Sequence, residues 1–204
     1  MTSCLEHGCL AAAVMSVLMR YNTGKSGERT DPIIVPADWI INGKKMKTLI
    51  VYYTLEGNTH YAAKKIASEL GADVLRIKPV RIYPRKGFRK FFWGGKSAVM
   101  AETPELAPYE FDASAYDRIV FGFPVWAGNV TPPIRTFIKE NDLSGKHIAA
   151  FACQSGAGAE KAFEKLKAAL GIGELEAELV LIDPKEKPDP MNDEKIKGFC
   201  GKLK

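Results

Sequence analysis

Three short runs of the sequence carry residue types that hold a ligand more readily than they fill a core. The first is Thr54-Leu55-Glu56-Gly57-Asn58-Thr59. Gly57 lets backbone approach closely, and a helix starting here presents unpaired N–H groups at the positive end of its dipole. Asn58, Thr54 and Thr59 add side-chain donors, so the run reads as an anion cradle of phosphate size. It has neither the lysine of a P-loop nor a three-glycine dinucleotide fingerprint. The second run is Pro124-Val125-Trp126-Ala127-Gly128-Asn129. A Trp in a connecting loop exposes a flat face that a planar ligand can cover, and Gly128 allows a peptide to turn beneath it. The third, Cys153-Gln154-Ser155-Gly156-Ala157-Gly158, offers backbone donors to a polar ring edge. For each run taken alone there is an ordinary alternative: a capped turn, a core Trp folded over a sheet, a plain connecting loop. Taken together they describe a flat, polar-edged aromatic ligand bearing one phosphate, and FMN fits that description best.

The elements that must position these runs follow from hydrophobic periodicity. Apolar, β-rich segments at Thr48–Tyr53, Val74–Ile77, Ile119–Phe123, Ile148–Ala152 and Leu179–Ile182 read as buried strands. Between them lie helical patterns. One starts with Asn58 or Thr59 as its cap and runs to Leu70 before Gly71. Another opens at Pro132-Pro133, a third spans Glu160–Leu170, and Asn192–Leu203 closes the chain. Alternation of this kind means βαβ units and one doubly wound parallel sheet of five strands. In such sheets ligands sit beyond the carboxyl ends of the strands, where the winding reverses. All three runs fall directly after strands, at that rim. The crossover 81–117 is long, and its helix is expected over Gly87–Ala101, with Phe88, Phe91, Phe92 and Trp93 unable to share one inward stripe.

Composition narrows the class. With 204 residues, 46% hydrophobic and 26% charged, the chain suits one globular domain. No run reaches the roughly 18 apolar residues that span a bilayer. Cys4, Cys9, Cys153 and Cys200 match no metal or haem spacing, so no metal site is expected, and they read as free thiols in a reducing, cytoplasmic setting. Cys153 reads as a small buried residue, not a redox thiol. The net charge of +5 is local: Arg76 to Lys96 holds eight basic residues and no acid, leaving the remainder at −3. Residues 1–45 lack a clear period and are set apart as an N-terminal extension of doubtful order, leaving 46–204 as the domain. An upstream extension from a misplaced start codon, an amphipathic docking helix and an export signal remain open for them.

Over roughly residues 47–183 the chain resembles the flavodoxin family. The phosphate run resembles that family's T-x-T-G-N-T, and Phe123 to Pro133 is similar to the tryptophan loop of its broader bacterial members. The resemblance implies a sheet in the order 2-1-3-4-5 and bound FMN, with residues 54–59 on the phosphate and Trp126 stacked on the isoalloxazine. It further implies backbone near Ala127 and Gly128 at flavin N5, where it would set the potentials, and residues 153–158 at the pyrimidine edge. Glu56 departs from the pattern and must point to solvent. The third loop carries no aromatic, which leaves one flavin face open, and the 76–96 basic patch departs from acidic carriers. The implied function is electron transfer with redox protein partners, with no catalytic residue assigned. The alternative is an NAD(P)H-dependent quinone or flavin reductase, an oxidoreductase that would admit nicotinamide at the open face. A remote alternative is nucleic-acid binding through 76–96. His60, the histidine nearest the site, is expected to face solvent.

Overall fold

The computed structural model describes residues 46–81, 83 and 102–204. The extension 1–45, the helix expected over Gly87–Ala101 and most of the basic patch lie outside the described residues. Five strands form one parallel sheet: β1 (Thr48–Tyr52), β2 (Asp73–Arg76), β3 (Arg118–Pro124), β4 (His147–Gln154) and β5 (Glu178–Ile182). Their order is β2-β1-β3-β4-β5, as the resemblance implies. The register pairs Ile50 with Val74 and Val120, Gly122 with Phe151, and Cys153 with Leu181.

Because the side chains of a strand alternate between faces, each strand serves two cores. Ile50, Tyr52, Val120, Ala149, Phe151 and Leu181 point to one face. Helices α1 (Asn58–Leu70) and α4 (Pro190–Lys202) cover it with Ala62, Ala63, Ile66, Ile196 and Phe199. Leu49, Val51, Phe121, Phe123 and Ala150 point to the other, under α2 (Pro132–Glu140) and α3 (Ala159–Leu170), which contribute Ile134, Phe137, Phe163 and Leu166. Gly122 is where the sheet leaves no room: a Cβ there would sit 2.2 Å from the Phe151 ring.

Three local readings change. The cap of α1 is Gly57, with φ 109°, and not Asn58 or Thr59, which occupy the first turn. Only glycine adopts that backbone cheaply, and the Asn58 carboxamide is engaged elsewhere. Strand β4 runs on through Cys153 and Gln154, so those two residues are paired strand and not loop. The closing helix starts at Pro190, where Asp189 Oδ1 accepts the Met191 N–H at 2.9 Å. Asp112 similarly accepts from Ser114 to cap a short 3₁₀ turn, Ala113–Ala115, which periodicity does not reveal. Among the described residues, no helix is long and apolar enough to cross a membrane.

Candidate functional site

The carboxyl ends of β1, β3 and β4 meet at a cleft of about 420 Å³, within the size range of small-molecule sites. Its walls are residues 54–56, 58–59, 124–127 and 153–157, drawn from all three runs, together with Asp183. Gly57, Gly128, Asn129 and Gly158 do not line it; they shape the walls through their backbone conformations and hydrogen bonds.

At the first wall, Thr54 Oγ1 accepts the Gly57 N–H at 3.0 Å and folds the loop into the helix. No side chain caps α1 and no acid occupies its first turn, so its leading N–H groups and positive dipole end remain available to an anion. Thr59 is 1% exposed, yet its hydroxyl finds no hydrogen-bond partner. The hydroxyl acts on the Cys153 thiol, a weak acceptor, where it opposes in part the upward push of burial. A buried hydroxyl without a partner costs free energy, and one lining a cleft at a helix N-terminus is placed to donate to a ligand oxygen. Glu56 is exposed, as the family resemblance requires of an acid in a phosphate loop.

The second wall is a tight reverse turn. Trp126 and Asn129 exchange both backbone hydrogen bonds, at 3.3 and 3.0 Å. Ala127 and Gly128 take φ values of 50° and 66°. Ala127 pays for that conformation with strain, which Asn129 offsets by donating from Nδ2 to the Ala127 carbonyl at 2.7 Å. Asn129 Oδ1 accepts in turn from Lys165 Nζ. Asn129 is therefore a structural pin, 3% exposed. Trp126 borders the cleft and meets the rings of Tyr53 and Tyr83 nearly at right angles, at 5.7 and 5.1 Å between centroids. These edge-to-face contacts hold the indole against rotation.

At the third wall, Gln154 Oε1 accepts the Ala159 N–H at 3.0 Å, so its carbonyl caps α3 while Ser155, Gly156 and Ala157 stay exposed. Gly158 (φ 111°) lies so near the second wall that a Cβ would come 3.1 Å from Gly128 Cα. Burial pushes the Cys153 thiol up to about 12, which removes it from nucleophilic or redox chemistry at neutral pH.

His60 does not simply face solvent. Its Nδ1 shares a 2.6 Å hydrogen bond with the Tyr52 hydroxyl under α1. Burial, then Lys64 and Arg76, hold its pKa below the ordinary 6.5. Sequence reasoning also missed the turn after β5. Asp183, with φ 41°, lines the cleft and accepts from Ser155 Oγ at 2.6 Å. Lys185 reaches back to the first wall: its N–H donates to Asn58 Oδ1 at 2.9 Å and its Nζ to the Glu56 carbonyl at 3.3 Å. The available signal was the strand order, which puts the end of β5 beside that of β4. Among the described residues, no cluster of His, Cys, Asp or Glu could hold a metal ion.

Comparison with known proteins agrees with this fold. A family model described as flavodoxin matches residues 47–185. A flavoprotein from Lactobacillus acidophilus, solved in complex with FMN, is 23% identical with a TM-score of 0.60, over 69% of this chain and 95% of that one. A Bacteroides uniformis protein is 25% identical with a TM-score of 0.59, over 68% and 92%. A Bacteroides eggerthii protein is 21% identical, TM-score 0.61, over 77% and 97%.

Proposed function

The chain belongs to the flavodoxin family, and from that premise we propose that it is an FMN-dependent electron carrier whose cofactor lies in the cleft at the ends of β1, β3 and β4. The observation that carries the cofactor assignment is the partnerless Thr59 hydroxyl at the uncapped start of α1, in one cleft with Trp126. A phosphate answers the first feature and a flat ring the second.

FMN supplies the redox chemistry when bound; the protein supplies position and electrostatics. The leading N–H groups of α1 and the hydroxyls of Thr54 and Thr59 hold the phosphate. Trp126 covers one face of the ring system, held by its perpendicular contacts with Tyr53 and Tyr83. Backbone of the third wall, around Ser155 to Ala157, meets the polar edge of the ring. The Ala127 carbonyl is already engaged by Asn129, so the turn beside the ring is fixed before the cofactor arrives. The domain that does this is 46–204, working in the cytoplasm with redox proteins as partners.

A second reading, an NAD(P)H-dependent quinone or flavin reductase, is favoured by one feature: Ser155 to Ala157 are exposed and bring no aromatic to cover the other face. Two experiments decide. Apo-protein titrated with FMN should take it up and turn yellow; no uptake at high micromolar supply refutes the cofactor assignment. FMN-loaded protein given NADPH and a quinone separates the two functions, rapid steady turnover marking the reductase and its absence the carrier.

A further inference from the structure

We propose that Lys185, on the turn between β5 and α4, is a phosphate-binding residue that supplies the positive charge missing from the 54–59 loop. This rests on the FMN reading above. The loop itself carries only the charge of Glu56, and the first turn of α1 adds no permanent cation. His60 does not fill the gap, since burial keeps its pKa below the ordinary value. A phosphate monoester brings about −1.5 to −2 charges at pH 7, against roughly half a positive charge from a helix end.

The geometry puts Lys185 at that deficit. Its ammonium donates to the Glu56 carbonyl at 3.3 Å, and it would lie 3.3 Å from a Cβ on Gly57, the cap residue. With no side chain at position 57, the flexible end of Lys185 lies directly against the start of the helix. Its backbone N–H donates to Asn58 Oδ1 at 2.9 Å. That bond occupies the Asn58 carbonyl, so what the side chain can still offer a ligand is its NH₂ donors. The turn is anchored at both ends: the Asp183 N–H pairs with the Gln154 carbonyl, and the Lys187 N–H with that of Asp183. The Lys185 side chain stays about half exposed and can follow a ligand. Its ion pair with Glu186, at 3.8 Å and equally exposed, is too weak to hold it back.

Lys185→Met isolates the ammonium, because the backbone bond to Asn58 survives the substitution. Apo-protein is titrated with FMN and separately with riboflavin, which lacks the phosphate, by quenching of flavin fluorescence at low and moderate salt. At several ångströms and surface-like dielectric, losing the charge should raise the FMN Kd about three- to tenfold and flatten its salt dependence. Riboflavin affinity should hold, and Lys185→Arg should restore FMN binding. Equal losses for both flavins would make Lys185 a merely structural tether, and an unchanged FMN Kd would equally overturn the assignment. Wild-type protein that binds neither flavin overturns the FMN reading and this inference with it; wild-type binding with an indifferent variant overturns this inference alone.

Discussion

Replacing Thr59 with valine should make the apo-protein more stable and the FMN complex weaker, two effects of opposite sign from one nearly isosteric change. Thr59 is 1% exposed and its hydroxyl has no hydrogen-bond partner, the Cys153 thiol being a weak acceptor at best. A buried, unsatisfied polar group costs about 1–3 kcal/mol, so removing it should return on the order of 1 kcal/mol to the apo form. For a domain of this size that corresponds to a Tm rise of about 2–4 °C. With FMN bound, the same hydroxyl would donate to a charged phosphate oxygen, a bond worth about 1.5–3 kcal/mol. Its loss raises the FMN Kd by about 10- to 150-fold. Riboflavin, without a phosphate, should bind both proteins alike. Denaturant melts of apo-protein and parallel titrations with the two flavins measure every term. An apo variant less stable than wild type would mean that the hydroxyl already has a partner. Equal weakening toward both flavins would place the phosphate elsewhere, and the assignment of α1 as its cradle would fall.

Gly122→Ala should cost about 1–3 kcal/mol, because its Cβ meets a fully buried Phe151 ring at 2.2 Å; Gly173→Ala, which meets nothing within 4 Å, should be neutral or slightly stabilising in the same thermal melt. Cys153, pushed up from 9.0 to about 12, holds about a thousandfold less thiolate at pH 8, so peptide mapping after iodoacetamide should find it unmodified in native protein and modified after unfolding. His60 binds its proton less readily folded than unfolded, so its contribution is intact above the ordinary 6.5 and is lost as pH falls through that value to its lowered pKa. Stability measured between pH 7 and 5 should therefore decline with a shallower slope in His60→Gln, and equal slopes would refute the burial argument.

What the sequence made legible, and what it hid, divide along one physical line. Strands buried on both faces read as apolar runs, and the glycines that end α1 and α3 are local signals, so the start of β1 at Thr48, Leu70-Gly71 and Leu170-Gly171 fall where periodicity puts them. Loops that leave strands at a known rim inherit a location from the sheet, so three separate runs could be assigned to one cleft. Misses arose where a side chain's role depends on a distant neighbour. Asn58 looked like a cap, but its carbonyl is claimed by Lys185, 127 positions away. His60 looked exposed, but Tyr52 lies beneath it, reached only once α1 folds over β1.

The turn after β5 is the instructive case, because nothing in Asp183-Pro184-Lys185-Glu186-Lys187 marks it as part of a site. Its relevance is created by topology. Strand β5 pairs with β4, which carries Asp183 to Ser155; α4 packs beside α1, which brings Lys185 to the start of that helix. A side chain so placed can respond only to a ligand that the local loop has already begun to bind. If the first wall supplies the directional donors, and the distant turn supplies only charge, the two contributions must separate by their dependence on salt. Loss of Thr59 should weaken FMN by a similar factor at every ionic strength, whereas loss of Lys185 should matter most at low salt and fade as screening lengths shrink below about 10 Å. A Thr59→Val effect that fades with salt in the same way would mean that the hydroxyl acts by field and not by contact, and the division of labour between the two walls would be wrong.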